Sequence, residues 1–412
     1  MRHGAHLWAI RPSINRPVDD HLIAAMLLIA NETICTNAAL RDMAREMSLA
    51  LSFFSSPDRL AGLMTGSARR VVLLTEADVE TRSVQTLADA REKTLFGVII
   101  ASDRSTLRSS NQATLVNKLG SLENIEWVNP DFNFDTLSAA ARRCRRRMLK
   151  VSRQDLESAF SKNEFVLRYQ PKVERSSSTE WLARETEALI RWDSPSHGLL
   201  SPLEFLPEIE AFDLMGELGE HVLREAAAQL VSWQQKGIQL NSCINLASSR
   251  LNDRNLAIRY AEIVKAAGLE CSRFTFEIVE QDLTDTDLPH IRTLHKLREQ
   301  GFRICLDDFR VAAASLGTLE QLPLDEIKIH ASALRRAQND KVAMTVLAAV
   351  TGLAHNLGML VSAEGVEDEA TFEFLKTIEC DKLQGFLISE AVLPNIIQQY
   401  YSSAHADSEE VA

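Results

Sequence analysis

Short apolar runs alternate with segments of helical periodicity along the first third of the chain. Segments such as Asn37 to Met47 and Val84 to Thr94 repeat apolar residues at helical spacing, and the runs between them have the length of strands. Alternating strands and helices predict a parallel sheet covered on both faces. We therefore predict a small, doubly wound α/β domain over residues 1–141. Its five strands are expected at Ala25 to Ala30, Leu49 to Phe54, Arg70 to Thr75, Leu95 to Ser102 and Ile125 to Val128.

A second, longer alternation begins at Phe165. Amphipathic patterns such as Gly219 to Gln234 and Lys341 to Asn356 separate eight strand-like runs, which predicts a (β/α)8 TIM-like barrel over residues 156–400. A doubly wound open sheet is the alternative, but no glycine-rich phosphate turn follows the first strand. The strands are expected at Phe165 to Tyr169, Trp181 to Trp192, Gln239 to Leu246, Phe274 to Val279, Phe302 to Leu306, Glu326 to Ile329, Met359 to Ala363 and Lys382 to Ile388.

Two segments lie outside both alternations. Six of the nine residues from Arg142 to Lys150 are basic, and at helical spacing they surround most of the circumference. This favours a solvated linker helix over 142–155, and a nucleic-acid patch is the weaker alternative because the rest of the chain is acidic. Residues 401–412 are small, polar and acidic, so a disordered tail is predicted there.

Composition narrows the class of protein. A chain of 412 residues with 45% hydrophobic and 25% charged residues is typical of a soluble protein of two or three domains. The longest apolar run, Leu22 to Ala30, is too short to cross a bilayer, and no signal peptide precedes it, so we expect a cytoplasmic protein without membrane insertion. The net charge of −12 argues against a general nucleic-acid binder. The six cysteines form no CxxC pair, so neither a zinc cluster nor a disulfide framework is predicted.

One strand of the predicted barrel carries opposite charges on the same face. Successive side chains of an extended strand alternate, so Glu187 and Arg191 point to the same side of an otherwise apolar run. Burying either charge alone is costly, so Glu187 requires a cation and Arg191 an anion. A metal ion and a phosphate would serve, and a plain ion pair between the two residues is the alternative.

Polar side chains recur at the predicted carboxyl ends of the barrel strands, where active sites of this architecture lie. Converging carboxylates repel one another unless cations neutralise them, although any one of these residues alone would more simply form a structural ion pair. The candidate ligands are oxygen donors, which favours Mg²⁺ or Mn²⁺ over zinc, and two such ions are typical of phosphodiester cleavage. The set comprises Gln170, Glu187, Arg191, Asn245, Glu277, Glu280, Asp307, Asp308, Lys328, Glu364, Glu367 and Gln384.

The order of these residues resembles that of the EAL-type cyclic-di-GMP phosphodiesterases, from about Leu156 to Pro394. The resemblance implies a barrel that hydrolyses cyclic-di-GMP to pGpG in bacterial second-messenger signalling. It also implies that the protein forms a homodimer. The motifs that carry it are Tyr169-Gln170-Pro171, Glu187-Ala188-Leu189, Ile244-Asn245-Leu246, Phe276-Glu277-Ile278-Val279-Glu280, Asp307-Asp308-Phe309, Lys328, Ala363-Glu364-Gly365-Val366-Glu367 and Gln384-Gly385-Phe386.

The resemblance implies a role for each candidate residue. Lys328 would orient the attacking water, and Glu364 would act as a base or as a metal-linked carboxylate. A first metal ion would be bound by Glu187, Asn245, Glu277 and Asp307, and a second would be reached by Asp307 and Asp308. The dinucleotide would be contacted by Gln170, Arg191 and Gln384, and the loop after Asp308 would be supported by Glu280 and Glu367.

The chain departs from the family pattern at three places. Family members usually continue Asp-Asp-Phe with Gly-Thr-Gly-Tyr-Ser-Ser-Leu, whereas this chain has Arg310 to Ala314 without glycine. His330 replaces the usual Asp after the lysine, and Glu185 stands where Gly commonly precedes the signature. Loss of the glycines removes backbone freedom from this loop, so we expect an active but slow phosphodiesterase. A catalytically silent module that binds cyclic-di-GMP or a protein partner is the alternative.

The N-terminal domain resembles a receiver domain of two-component signalling in the order of its elements. On that alignment the phosphate-accepting Asp becomes Thr75, the paired acids become Asn31 and Glu32, and the Lys of the last strand becomes Asn129. A phospho-aspartate needs a carboxylate, a Mg²⁺ site and a cation, so most of the chemistry is missing. We predict a degenerate receiver-like domain, a pseudo-receiver, used for contacts with itself or with a signalling protein.

Overall fold

A computed structural model describes most of the second alternation and the strands of the first. The described residues are 26–31, 37, 40–41, 50–64, 69–75, 78, 83–90, 96–101, 125–149, 151–176, 181–279, 288–309, 322–337 and 340–409. They divide into two compact units, one containing the described residues up to 166 together with 191–212, and one containing 167–190 and 213–409. The division therefore does not fall at residue 141, because α3 (Phe134–Met148) contacts α5 (Pro202–Ala211) within the first unit.

The first unit contains a sheet of five parallel strands in the order β2-β1-β3-β4-β5. This order is the one found in flavodoxin-like doubly wound sheets. Each strand lies within one residue of the run predicted from the sequence, because runs of apolar residues bounded by polar ones mark buried parallel strands well. The strands are β1 (Met26–Asn31), β2 (Ala50–Phe54), β3 (Arg69–Thr75), β4 (Phe96–Ala101) and β5 (Ile125–Val128).

Helices cover both faces of this sheet. Alternate strand residues such as Val71 and Leu73 pack against α3 on one face. Their neighbours Val72 and Leu74 pack on the other face against α1 (Pro57–Leu63) and α2 (Ser83–Ala90). Because successive side chains of a strand point to opposite faces, one continuous apolar run contributes residues to the apolar cores on both faces of the sheet.

The basic segment after residue 141 is not a separate linker helix. Residues 142–148 are the last two turns of α3, whose Cys144 lies in the core of the sheet with no exposed surface. Arg143 and Arg147 both form ion pairs with Glu126 on β5, at 2.8 and 2.6 Å. The prediction failed because basic residues surround the buried Cys144, and a count of charges does not reveal that position. A second helix, α4 (Arg153–Ser161), begins with a capping box at Ser152.

The prediction of a (β/α)8 barrel is confirmed by a closed ring of eight strands. The order around the ring is β6-β14-β13-β12-β11-β10-β9-β7, and β6 pairs again with β7. Seven strands are mutually parallel, whereas β6 runs antiparallel to β14, and a short β8 (Gly198–Leu200) extends β7. The ring strands are β6 (Phe165–Arg175), β7 (Trp181–Ser194), β9 (Asn241–Asn245), β10 (Phe274–Val279), β11 (Arg303–Phe309), β12 (Glu326–Ile329), β13 (Leu360–Ala363) and β14 (Lys382–Leu383).

Helices follow most of the parallel strands. None of the described helices combines the length and the hydropathy that a membrane span requires. Two short 3₁₀ helices occupy 248–252 and 271–273. The α-helices of this part of the chain are α5, already given, α6 (Met215–Gln234), α7 (Leu256–Ala266), α8 (Leu288–Glu299), α9 (Ala331–Ala337), α10 (Lys341–Asn356), α11 (Glu369–Thr377) and α12 (Pro394–Glu409).

The C-terminal end differs from the predicted disordered tail over 401–412. Helix α12 continues through this region as far as Glu409. It begins at Pro394, which suits a first helical turn, and Ile397 near its start is buried. Tyr401 donates a hydrogen bond to the carbonyl of Ala183 on β7, which fixes the helix just where the composition turns polar. The sequence around Tyr401 does not indicate this hydrogen bond, because small polar residues follow Tyr401 immediately.

Candidate active site

The interior of the barrel contains two layers of polar side chains. Residues two positions apart on a strand share a face, so each strand contributes one side chain to each layer. The upper layer, at the carboxyl ends of the parallel strands, consists of Gln170, Glu187, Asn245, Glu277, Asp307, Lys328, Glu364 and Gln384. The lower layer consists of Lys172, Glu185, Cys243, Thr275, Cys305, Glu326, Ser362 and Lys382, all of them buried.

Lys328 lies at the centre of the upper layer. Its Nζ is 3.2 Å from Glu187 Oε2, 3.1 Å from Glu277 Oε2 and 3.5 Å from Asp307 Oδ1. Glu364 Oε2 is slightly farther away, at 3.7 Å. The ammonium group is buried, which opposes its charge, but the surrounding carboxylates outweigh burial and raise the pKa of Lys328 well above its usual value. The ammonium group of Lys328 therefore joins four carboxylates that lie at the ends of four strands.

Glu187 accepts hydrogen bonds from both sides of the layer. Asn245 Nδ2 donates to its Oε1 at 2.8 Å, and Gln384 Nε2 donates to its Oε2 at 2.9 Å. Burial disfavours the carboxylate, but Lys328, Lys172 and the two amides outweigh it and hold the pKa of Glu187 far below its usual range. Glu187 is thus ionised and rigidly oriented.

Glu277 connects the two layers. Its Oε1 is 2.5 Å from Lys172 Nζ in the lower layer, and its Oε2 faces Lys328. Burial, followed by the charge of Glu187, outweighs both lysines and raises the pKa of Glu277 to about 7. Burial is thus the main cause of the raised pKa, and the negative charge of Glu187 adds to it.

Five carboxylates lie in or just above the upper layer, those of Glu187, Glu277, Asp307, Asp308 and Glu364. Lys328 supplies positive charge within this layer, and Lys172 reaches Glu277 from the layer below. When all are ionised, an excess of three negative charges remains. A site with this excess attracts cations, and oxygen donors of this kind suit hard divalent ions. Among the described residues, no three His, Cys, Asp or Glu side chains are close enough together to hold an ion without moving.

The carboxyl end of β11 positions two consecutive aspartates. Asp308 has a φ of 56°, in the left-handed region that residues other than glycine rarely occupy, and its N–H donates to Asp307 Oδ1 at 2.8 Å. The turn directs the two carboxylates differently: Asp307 faces Lys328, and Asp308 faces His330, whose Nε2 is 3.5 Å from its Oδ1.

Two glutamines close the side of the layer next to β6. Gln384 Nε2 donates to Gln170 Oε1 at 2.9 Å, and Gln170 Nε2 donates to the carbonyl of Ser389 at 2.9 Å. Gln384 Oε1 is buried without a hydrogen-bond partner. A Cβ at the next residue, Gly385, would lie 2.2 Å from the backbone of Val366, so only glycine permits this close approach between the ends of β13 and β14.

Three predicted residues lie apart from this arrangement or outside the described residues. Arg191 is a half-buried residue of β7 that belongs to the first unit, so its part in the site stays a prediction. Glu367 is exposed. Glu280, like the segment Arg310 to Ala314, lies outside the described residues. The loop-supporting roles of Glu280 and Glu367 therefore stay predictions.

The lower layer contains an ion-pair triad that was not predicted. Lys382 Nζ lies 2.8 Å from Glu185 Oε2 and 2.7 Å from Glu326 Oε2, and Thr275 donates to Glu185 Oε1 at 3.2 Å. Burial opposes both charges of the Lys382–Glu326 pair, but their attraction prevails, raising the pKa of Lys382 and lowering that of Glu326 to about 2. Glu185, noted from the sequence only as a replacement for glycine, therefore has a buried cation as its partner.

The fold and this interior define a closed α/β barrel with an acidic site at the carboxyl ends of its parallel strands. The EAL domain family matches residues 153–391, and this chain belongs to that family.

Similar proteins include cyclic di-GMP phosphodiesterases. The chain is 34% identical over 236 residues to cyclic di-GMP phosphodiesterase PA2567 of Pseudomonas aeruginosa, covering 57% of this chain and 40% of that protein. It is 28% identical over 247 residues to cyclic di-GMP phosphodiesterase PdeR of Escherichia coli, covering 60% and 37%. The solved structure of PaMucR phosphodiesterase in its c-di-GMP complex has 32% identity and a TM-score of 0.55, covering 59% of this chain and 98% of that one. The chain spans less than half the length of the curated relatives.

Proposed function

We propose that this chain hydrolyses cyclic-di-GMP to pGpG with two divalent cations bound at the upper layer. The observation that carries the proposal is the cluster of five carboxylates at the carboxyl ends of the strands, which outnumbers the two nearby lysines, Lys328 within the layer and Lys172 below it. Membership of the EAL domain family and likeness to cyclic di-GMP phosphodiesterases support the same reaction.

The donor set fits Mg²⁺ or Mn²⁺. Carboxylates and one amide supply oxygen ligands, and the negative excess offsets the charge of the ions. The first ion would be held by Glu187, Asn245, Glu277 and Asp307, and Asp307 would share the second with Asp308. Bound ions would activate water and stabilise the charge that develops on the scissile phosphate. Because the carboxylates must move closer together to bind an ion, ion binding would shorten the distances between the side chains of the upper layer.

The remaining residues have complementary roles in this proposal. Gln170, Arg191 and Gln384 would hold the dinucleotide, and the unpartnered Gln384 Oε1 is an acceptor suited to a base N–H or a ribose hydroxyl. Lys328 would orient the attacking water, and Glu364 would act as the base that accepts its proton or as a metal-linked carboxylate. The water oxygen forms a bond to phosphorus while the bond from phosphorus to the 3′ oxygen breaks. The 3′ oxygen leaves with a proton from solvent, which gives a 5′-phosphate and a 3′-hydroxyl.

The experiment that tests the proposal is direct. Protein incubated with cyclic-di-GMP and Mg²⁺ or Mn²⁺ should convert it to pGpG, as followed by ion-pair chromatography. If cyclic-di-GMP binds but stays intact with either ion, the alternative applies, and the chain is a silent binding module.

We further propose that turnover is slow because the loop after Asp308 lacks glycine. Replacing Arg310 and Ala312 with glycine restores conformations with φ > 0 that other residues rarely adopt. The double variant should raise kcat or lower the Mg²⁺ concentration for half-maximal rate, with cyclic-di-GMP affinity in Ca²⁺ nearly unchanged. A wild type that is already fast in Mg²⁺, with a double variant no faster, would show that the loop does not limit the rate.

For the first unit we propose a degenerate receiver. The strand order β2-β1-β3-β4-β5 supports it, as does Thr75 at the carboxyl end of the central strand. The N–H and hydroxyl of Thr75 both donate to Asp78 Oδ2, at 2.8 and 2.7 Å, so the Asp78 carboxylate serves as a local acceptor. A homodimer, and a signalling partner for this unit, remain proposals that molar mass by light scattering, alone and with cell extract fractions, would test.

The first unit should not take up phosphate from acetyl phosphate. A threonine hydroxyl at position 75 cannot form an acyl phosphate, and Asp78 is buried with its Oδ2 occupied. Intact-mass spectrometry after incubation with acetyl phosphate and Mg²⁺ should show no added phosphoryl group. A hydroxylamine-sensitive phosphoryl group on any residue of this unit would mean that the pseudo-receiver interpretation is wrong.

A further inference from the structure

A histidine lies among the carboxylates of the proposed second ion. His330 follows β12 directly, and its Nε2 is 3.5 Å from Asp308 Oδ1 and 3.5 Å from Glu364 Oε1. The three side chains come from the carboxyl ends of β11, β12 and β13, which are neighbours in the ring. Each is between 21% and 28% exposed, so an ion can reach them from solvent.

The other ring nitrogen of His330 is held by Ser332 on α9. The backbone N–H of Ser332 donates to Nδ1 at 3.2 Å, and Ser332 Oγ lies 2.7 Å from the same nitrogen. Nδ1 is therefore an acceptor in this structure, and Nε2 carries the ring proton toward Asp308 and Glu364. An ion bound at Nε2 would displace that proton and favour the tautomer with hydrogen on Nδ1, for which Ser332 Oγ is the acceptor, as in most metal-binding histidines.

The spacing suits a shared ion. Two ligands bound at adjacent positions of an octahedral ion, about 2.1 Å from it, lie about 3.0 Å apart. Shortening each of the two 3.5 Å distances from Nε2 by about half an ångström would therefore place Asp308 Oδ1 and Glu364 Oε1 at ligand spacing from His330. Glu364 would use Oε1 for this contact, since its Oε2 is the oxygen that faces Lys328.

We propose that His330 Nε2 is a ligand of the second ion, with Asp308 and Glu364, and that it selects a first-row transition ion such as Mn²⁺ there over Mg²⁺. One imidazole and two carboxylates suit Mn²⁺, Fe²⁺ or Zn²⁺, whereas Mg²⁺ takes oxygen ligands almost exclusively. The inference rests on the two-ion site of the proposed function, and it assigns the metal-linked role to Glu364.

The test is pulsed electron paramagnetic resonance of protein loaded with Mn²⁺ and without nucleotide. Electron spin-echo modulation should show coupling to a directly bound ¹⁴N, which changes to the ¹⁵N pattern when histidine is ¹⁵N-labelled. H330D, which offers oxygen in place of nitrogen, should bind Mn²⁺ without this coupling, and its affinity for Mg²⁺ relative to Mn²⁺ should rise about tenfold. The matched control is H295D, since His295 is an exposed residue of α8 and its loss should leave the coupling intact.

A second variant tests the orientation of the ring. S332A removes the hydroxyl beside Nδ1 and should weaken Mn²⁺ binding about tenfold while the ¹⁴N coupling persists. The inference is overturned if wild-type protein binds no Mn²⁺, if it binds Mn²⁺ without nitrogen coupling, or if the coupling survives in H330D. These outcomes do not depend on hydrolysis: coupling without pGpG would refute only the proposed reaction, and pGpG without coupling would refute only the role of His330.

Discussion

Replacing Glu187 with glutamine should lower kcat/KM for cyclic-di-GMP by about a thousandfold or more, because a charged ligand worth several kcal/mol of transition-state stabilisation is lost. Glutamine retains the shape and can still accept from Asn245, so the fold should persist. Binding of cyclic-di-GMP in Ca²⁺ should weaken less, since Gln170 and Arg191 are unchanged. Steady-state hydrolysis in Mn²⁺ and calorimetric titration in Ca²⁺ measure the two effects separately.

The matched control for this change is Glu373→Gln. Glu373 is an exposed residue of α11 that pairs only locally, with Lys376 at 2.9 Å, so its kcat/KM should match the wild type. A Glu187→Gln protein that keeps more than a tenth of wild-type turnover would contradict the assignment of Glu187 to the first ion. Loss of activity together with loss of the folded circular dichroism spectrum would instead point to a structural role.

Replacing Lys382 with methionine should lower the free energy of unfolding by about 3–5 kcal/mol, because it leaves two buried carboxylates without their cation. Lys382 is 2% exposed, and Glu185 and Glu326 are each 2% exposed, so solvent cannot replace the ammonium group. The loss should appear in urea unfolding followed by circular dichroism at neutral pH, with the metal ions omitted.

Lys376→Met provides the comparison for Lys382. Lys376 is partly exposed and pairs with the exposed Glu373, so its replacement should lower the free energy of unfolding by less than about 1 kcal/mol. A triple variant that also replaces Glu185 and Glu326 with leucine should recover most of the loss, since an apolar layer of similar volume can replace a buried ion network. If Lys382→Met costs no more than Lys376→Met, the triad does not stabilise the barrel.

The upper layer of the site could be predicted from the sequence because its residues end strands that are recognisable as apolar runs. The layer below was missed, although each member of its triad is two positions from a predicted residue. These pairs are Glu185 with Glu187, Glu326 with Lys328, and Lys382 with Gln384. A strand of period two that places one residue inside the barrel also places its second neighbour inside. The two-residue period of the strands therefore identifies the triad, whereas the residues at the strand ends alone do not.

Other differences have tertiary causes that the local sequence does not show. Gln170 reaches the upper layer because β6 runs antiparallel to β14, so its amino-terminal half, rather than its carboxyl end, lies beside Gln384. The direction of one strand depends on ring closure, not on its own residues. Likewise Cys144 is buried because α3 docks on a sheet, although the residues around it are basic.

The most direct test of the central claim is hydrolysis in water enriched in ¹⁸O. With Mn²⁺, wild-type protein should convert cyclic-di-GMP to pGpG that contains one ¹⁸O in its 5′-phosphate, and Glu187→Gln should give almost no product in the same time. Mass spectrometry of the product after chromatography provides both readings. Intact cyclic-di-GMP with the wild type in both Mn²⁺ and Mg²⁺, despite measurable binding, would contradict the account and leave a binding module in place of an enzyme.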